Sequence, residues 1–295
     1  MGEGTSIINL GELAKPATVL VEKISDAVGG VFKPYQIKRV AKAEAEAAII
    51  EAKSQMQITE LQERAVRRFF KEEAKKQRNI EEITAKALPQ LSDQSKPEQM
   101  NDDWLTNFFD KCRIVSDGEM QQLWSKVLAG EANSPGRYSK RTVNFLGALD
   151  KTEALHFTRL CSFAWVIGNV ELLIYDLDNP IYSSSDITFG LLSHLDDLGL
   201  ISFQPLSGYQ RTRLSKFETF YYYGHATQVE FPSDDNNQLA IGLALLTQVG
   251  HQLAPICGSE AVPDFQEYVL ERWMQMNLKP ASPYPNAVRA SATDI

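Results

Sequence analysis

Residue types that carry out most enzyme chemistry are scattered along this sequence rather than grouped. The four histidines, His156, His194, His225 and His251, are far apart, and no H-x-x-x-H or C-x-x-C motif predicts a metal site. The sequence also contains no G-x-S-x-G motif for a nucleophilic serine and no glycine-rich phosphate-binding loop. Local motifs therefore predict no catalytic residue, no metal site and no cofactor.

The cysteines and the carboxylates leave open two weaker hypotheses of a reactive site. Cys161 and Cys257 lie on apolar stripes, which is typical of buried structural cysteine. Lys111 and Arg113 flank Cys112 and could lower the pKa of its thiol, so a reactive thiol is an alternative there. Carboxylates that are distant in sequence could also converge on a metal ion, which keeps a metal-dependent nuclease open as an alternative function.

A basic stripe is the most suggestive feature of the sequence. Arg64, Arg68, Lys71, Lys75 and Arg78 step by 4, 3, 4 and 3 residues, a spacing that places them on one face of a helix. A solvated surface, or ion pairs with the acidic body of a neighbouring subunit, would explain this stripe. Contact with a polyanion or with an anionic membrane is the sharper alternative.

The stripe is notable because the chain as a whole is acidic. Its 295 residues carry a formal net charge of −8, which argues against a general nucleic-acid coat. Residues 33–88 hold 13 basic and 9 acidic residues, a net of +4, which leaves −12 for the rest of the chain. A basic element therefore sits in an acidic protein.

Composition predicts a globular protein in a reducing compartment. Hydrophobic residues make up 43% of the chain, and three scattered cysteines are too few for a disulfide framework. No apolar run reaches the roughly 18 residues that a membrane-spanning helix needs. We therefore predict a cytoplasmic protein. Membrane association stays open through an amphipathic N-terminal segment, residues 1–32, whose apolar stripe could instead dock on the protein body.

Residues 33–100 are predicted to form a long helical arm and a linker. Pro34 and Pro89 bracket a stretch without glycine or proline that is rich in strong helix formers. Ser54 and Gln57 occupy two positions where a coiled coil would place apolar residues. We therefore expect this helix to pack along part of its length, against copies of itself.

The remainder of the chain predicts a mainly α fold with a small α+β part. Residues 101–165 read as a helical unit, in which Trp104, Trp124 and Arg141 have structural roles. Residues 166–258 follow the element order of a winged helix, and residues 259–295 read as a C-terminal helix with a mobile tail.

A second basic group, Arg211 and Arg213, lies where the wing would be. A winged helix that reads DNA usually needs a basic recognition helix. The corresponding helix here reads FGLLSHLDDLG and carries two aspartates. This pattern argues against a transcriptional regulator and favours a wing that contacts protein.

Five stretches of the chain carry a resemblance to a known family. They are VEKISDAVGGVFKPYQIKRVAKAEAEA, RAVRRFFKEEAKKQRNIEEITAKAL, DDWLTNFFDKCRIVSDGEMQQLWSKVLAGEANSPGRYSKRTVNFLGAL, ITFGLLSHLDDLGLISF and LLTQVGHQLAPICG. Over about residues 16–258 the chain resembles the uncharacterised bacterial family known as domain of unknown function 2806. The order of MQQLWSKVLAGE, PGRYSKRTV, an LGLI unit and a final LT-x-x-G is also similar to Abi-alpha-type proteins, which are associated with abortive infection, a form of phage defence.

The resemblance transfers no reaction, because the family has none assigned. Together with the residues, it implies a cytoplasmic bacterial interaction protein that forms homo-oligomers through the long helix and acts in phage defence. The C-terminal unit would sense or bind a protein partner, such as a phage component. A membrane-acting effector that uses the N-terminal segment and the basic helix is the alternative, and neither nucleic acid nor a membrane surface is the favoured partner.

Overall fold

A computed structural model describes residues 14–29 and 59–281 of the chain, which divides into two compact units. The first unit is Met1–Leu149 and the second is Asp150–Ile295. The boundary between the units falls inside the predicted helical unit 101–165. The last helix of that segment begins at Lys151, and Ala164 begins a β-strand. The prediction of a mainly α protein is confirmed.

The described part of the first unit consists of helices and short 3-10 turns. Asn101, Asp117 and Ser139 each cap a helix by accepting a backbone N–H with the side chain, so local sequence decides where these helices begin. The helices are α1 (Lys15–Ala27), α2 (Glu60–Ala87), α3 (Asp102–Cys112), α4 (Gly118–Asn133) and α5 (Lys140–Ala148).

Aromatic side chains of α3 and α4 form the centre of this unit. Phe108 stacks on Trp104, one turn earlier on α3, at 5.1 Å between ring centroids, and meets Trp124 edge to face at 5.0 Å. Trp104 Nε1 donates a hydrogen bond of 2.8 Å to the backbone oxygen of Tyr138. Both tryptophans are buried, whereas Arg141 is exposed.

Helix α2 begins at Glu60, inside the segment predicted as one long helix. Thr59 has an extended backbone and accepts the Gln62 N–H, while the Gln62 side chain accepts the Thr59 N–H, which together form a capping box. The predicted long helix is therefore interrupted at Thr59. The earlier part of the predicted arm, residues 33–58, lies outside the described residues.

Helix α1 is docked on the first unit through its apolar face. Leu20, Val21 and Ile24 are buried. Lys23 Nζ lies 2.9 Å from a carboxylate oxygen of Asp102 and donates to the Met100 backbone oxygen. No helix in the described residues is both long and apolar enough to cross a membrane.

The second unit alternates short helices with β-strands. Its first helix, α6, starts in a capping box formed by Asp150 and Glu153. The helices are α6 (Lys151–Cys161), α7 (Pro180–Ser183), α8 (Phe189–Asp197), α9 (Gln248–Leu253) and α10 (Phe265–Gln275). The strands are β1 (Ala164–Ile167), β2 (Asn169–Leu172), β3 (Ile201–Phe203), β4 (Tyr209–Leu214), β5 (Phe217–Tyr222), β6 (His225–Glu230), β7 (Asn237–Gly242), β8 (Ala244–Leu246) and β9 (Lys279–Ala281).

The strands form one larger sheet and two antiparallel pairs. The larger sheet has the order β2-β1-β5-β6-β9, with each neighbouring pair antiparallel. Strand β3 pairs with β8, and β4 pairs with β7. Strands β5 and β6 form a hairpin around Gly224.

The core of the second unit is aromatic where α10 meets the larger sheet. Trp165 stacks on Tyr222 with 5.2 Å between centroids and meets Trp273 edge to face at 5.0 Å. Trp273 Nε1 donates to the Tyr175 hydroxyl at 3.1 Å, which pairs its polar atom within the core. Alternation along β1 and β5 turns these rings inward, so neighbouring residues on the same strands face outward.

Candidate functional site

The described residues contain no group of three or more histidine, cysteine, aspartate or glutamate side chains that could hold a metal ion. Pairs of adjacent aspartates are explained locally instead. Asp196, for example, accepts a hydrogen bond of 3.2 Å from the Phe203 backbone N–H. The surfaces that remain for a function are the basic stripe, an apolar face on the same helix, and polar groups in the second unit.

All five residues of the basic stripe lie on α2, as the sequence predicts. Arg64 and Arg68 pair with carboxylates one turn away, Glu60 and Glu72, each at 3.6 Å. Pairs of this kind on an exposed helix contribute only a few tenths of a kcal/mol, about 0.3–0.5. The other three stripe residues have exposed side chains and no ion pair within the described part of the chain: Lys71, Lys75 and Arg78.

The same half of α2 also exposes large apolar side chains. Leu61 is 68% exposed and Phe69 is 59% exposed, and Val66 and Phe70 are exposed as well. The Phe69 and Phe70 rings meet edge to face at 6.0 Å. Single exposed apolar residues are ordinary on protein surfaces, but four within about three helical turns indicate a contact surface.

Phe69 continues the face by which α2 packs on its own unit. Ile80 and Ile83 are buried, and Ile80 follows Phe69 by three turns, about 20° away around the helix axis. The centre of the basic stripe lies about 140° away from Phe69. Helix α2 therefore has one apolar face, buried towards its C-terminal end and exposed towards its N-terminal end, with the basic stripe on the other side.

Arg211 in the second unit is a partner of a buried carboxylate. Its Nη1 lies 3.3 Å from Glu171 Oε1. The Glu171 side chain is 7% exposed, and burial raises its pKa while the Arg211 guanidinium opposes that rise. Arg213 is exposed and has a φ of 62°, at an irregularity in the pairing of β4 with β7. The two arginines therefore differ in role, and neither belongs to the same unit as the α2 stripe.

A shallow pocket of about 400 Å³ lies next to Arg211, lined by Val166, Gly168, Asn169, Val170 and His251. Burial lowers the pKa of His251, and nearby Arg211 lowers it further. This histidine is therefore neutral near pH 7. The lining combines two valines with the polar side chains of Asn169 and His251.

Replacing Arg211 with glutamine is expected to destabilise the second unit more at pH 7 than at pH 5. Without the guanidinium the pKa of Glu171 rises further. The free energy of unfolding then falls as pH rises through that raised pKa, because the folded state loses a proton that it binds more tightly than the unfolded chain. Since Arg211 is partly exposed, we expect a loss of about 1–2 kcal/mol at pH 7.

Urea unfolding of the wild type and of Arg211→Gln at both pH values measures this difference. Arg213→Gln is the matched control, because Arg213 is exposed and has no ion pair within the described residues. Equal losses at pH 5 and pH 7 would contradict the role assigned to the Glu171 carboxylate.

The cysteines fall into two groups. Cys112 is buried and burial raises the pKa of its thiol, so the alternative of a reactive Cys112 is wrong. The sequence predicts Cys161 and Cys257 as separate structural residues, but their side chains interact with each other. They come from distant segments, so no local spacing could have revealed the pair.

A family model described as "Protein of unknown function (DUF2806)" matches residues 63–270, which is more than half of the chain. The chain belongs to the DUF2806 family. This confirms the resemblance to domain of unknown function 2806, although the match covers residues 63–270 rather than 16–258. The similarity to Abi-alpha-type proteins stays a prediction. No curated protein and no solved structure matches the chain.

Proposed function

We propose that this DUF2806 protein is an interaction protein that assembles with copies of itself through α2. The observation that carries the proposal is the apolar face of this helix, which is buried at Ile80 and Ile83 but exposed at Val66 and Phe69. A helix segment exposed over much of its circumference gains little from its own propensity and is stabilised mainly by packing. Burial of this face against a partner would supply that packing.

A second copy of α2 suits this face because a twofold contact needs a self-complementary surface. Both signs of charge flank the apolar residues. Glu63 pairs with Arg67 at 2.7 Å, and Glu73 pairs with Lys76 at 2.6 Å. Two antiparallel copies could therefore exchange these partners across the contact while burying the phenylalanines. The basic stripe would stay on the outer side of such a pair.

For the second unit we propose a winged-helix arrangement that binds a protein partner. Helix α8 is followed by β3, then by a long excursion over residues 204–243, then by β8, which pairs with β3. This is the order of a recognition helix and its wing. Exposed Asp196 and Asp197 on α8 would repel DNA phosphates, which supports a protein rather than a nucleic acid as partner.

As the setting we propose phage defence in the bacterial cytoplasm, supported by the resemblance to Abi-alpha-type proteins. The alternative of a membrane-acting effector is less well supported, because Leu20, Val21 and Ile24 of α1 are buried against the protein. Phage plating on bacteria that produce the full chain tests the setting. Unchanged plating across a broad set of phages would overturn it.

Light scattering on the purified full chain tests the assembly. We expect a mass of at least two chains at micromolar concentration. A strict monomer under these conditions would overturn the proposed mechanism.

A further inference from the structure

The end of α6 and the turn after α9 bring two cysteines of the second unit together. Cys161 is the last residue of α6, and Cys257 directly follows the 3-10 turn Ala254–Ile256. Their side chains interact with each other, and both are free thiols. Oxidation can join such a pair in a disulfide where the two sulfur atoms can approach to bonding distance.

Hydrogen bonds hold the Cys257 segment against the end of α6. Thr158 Oγ1 donates to the Cys257 backbone oxygen at 3.2 Å. The Tyr223 hydroxyl, in the turn between β5 and β6, lies 2.6 Å from Ser259 Oγ and 3.3 Å from the Cys161 backbone oxygen. These contacts fix the backbone on both sides of the thiol pair, so the proximity of the cysteines does not depend on a single loop conformation.

The two thiols have different surroundings. Cys161 is 2% exposed, and burial raises its pKa, so it keeps its proton and donates it towards Cys257. Cys257 is partly exposed, and its pKa is lowered to about 6. The interaction with the Cys161 thiol is the main cause, and the Ser259 N–H lowers the pKa further. While it is protonated, the Cys257 thiol donates to the Ala254 backbone oxygen at 3.2 Å.

We propose that Cys257 and Cys161 form a reversible redox site, in which Cys257 reacts with a hydroperoxide and Cys161 then closes a disulfide. The assignment of roles follows from access and hydrogen bonding. A reactive thiol must be reached by the oxidant and held as a thiolate by nearby donors, and a resolving thiol must lie beside it. Cys257 meets the first condition and Cys161 meets the second.

The chemistry balances in two steps. The Cys257 thiolate attacks one peroxide oxygen, the S–O bond forms as the O–O bond breaks, and the hydroxide that leaves takes up a proton to become water. The Cys161 thiol then loses its proton and attacks Cys257 Sγ, the S–S bond forms as the S–O bond breaks, and a second water leaves. Two thiols are oxidised and one peroxide is reduced, and an added thiol reductant reverses the result by exchange.

The disulfide would tie α6 to the segment after α9, so oxidation would stiffen the second unit. The site lies outside α2, and it stands whether or not the protein assembles through that helix. Oxidation would therefore change the flexibility of the unit that is proposed to bind a partner.

Peptide mapping of the full chain after treatment with hydrogen peroxide tests the proposal. Remaining thiols are alkylated under denaturing conditions before digestion. We expect one equivalent of peroxide to remove two of the three alkylatable thiols and to yield a peptide that links Cys161 to Cys257, with Cys112 still alkylated. Dithiothreitol should restore all three thiols. A wild-type map without the Cys161–Cys257 link would overturn the proposal.

Substitutions separate the two roles. In Cys161→Ala we expect a sulfenic acid trapped by dimedone at Cys257, about tenfold more than at Cys112 in the same chain. In Cys257→Ser, peroxide should oxidise Cys112 and Cys161 more slowly than it oxidises Cys257 in the wild type. Cys112→Ala is the matched control and should behave as wild type. Dimedone labelling at Cys161 rather than Cys257 in the wild type would reverse the assigned roles and contradict the proposal.

Discussion

Changing Phe69 to glutamate is expected to turn the assembled protein into a monomer at micromolar concentration. Burial of a phenylalanine side chain stabilises a contact by about 2–3 kcal/mol, and a twofold contact loses that contribution in both copies. A combined loss of about 4 kcal/mol weakens association roughly 1,000-fold. Light scattering and sedimentation over a concentration series measure the change. The buried helices of the first unit should persist, because Phe69 lies on the exposed part of α2, and any loss of helical content should be confined to that part.

Lys71→Glu is the matched control for this experiment. Lys71 is two residues away on the same exposed helix but on the other side, within the basic stripe. If the apolar face is the contact, Lys71→Glu assembles as wild type. If the stripe instead meets the acidic body of a neighbouring copy, Lys71→Glu weakens assembly, added salt does the same, and Phe69→Glu has little effect. That second outcome would contradict the proposed contact.

The stripe itself could be found from sequence because helical spacing is a local property. Five basic residues at steps of three and four are placed on one face by helix geometry alone. The start of α2 is equally local, since Thr59 and Gln62 form the T-x-x-Q pattern of a capping box. That pattern marks a helix start within a stretch that contains no glycine or proline.

Other features depend on partners that are remote in sequence. Gly130 looks like the end of a helix, yet α4 continues to Asn133, and a side chain at Gly130 would meet the Tyr138 ring at 2.7 Å. Glycine is needed at position 130 because the Tyr138 ring occupies the space of a side chain, and not because the backbone makes a left-handed turn there. The Glu171–Arg211 ion pair joins residues 40 positions apart. Such contacts follow from the tertiary fold, which no window of sequence contains.

The same reasoning predicts the largest stability effect in the second unit, at Gly242. This glycine has a φ of 114° and ends β7 where the strand meets Ile174 in a parallel bridge. A Cβ at this position would overlap the Ile174 backbone oxygen, which also accepts the Leu243 N–H at 2.8 Å. Gly242→Ala must therefore adopt a disfavoured backbone conformation and separate two backbone segments as well. We expect a loss of at least about 3 kcal/mol.

Gly224→Ala distinguishes the two causes of that loss. Gly224 also has a positive φ, 85°, but an added Cβ there meets nothing within 4 Å. Its expected cost is only the conformational one, about 1 kcal/mol. Hydrogen exchange of peptides from β7 and β8, together with urea unfolding, compares the two variants within one unit. Equal losses of stability in the two variants would mean that the backbone conformation alone explains why position 242 requires glycine. A larger loss in Gly242→Ala than in Gly224→Ala means that the close approach of Ile174 requires glycine at position 242. Of the two positions, Gly242 is the one at which the added Cβ has no space.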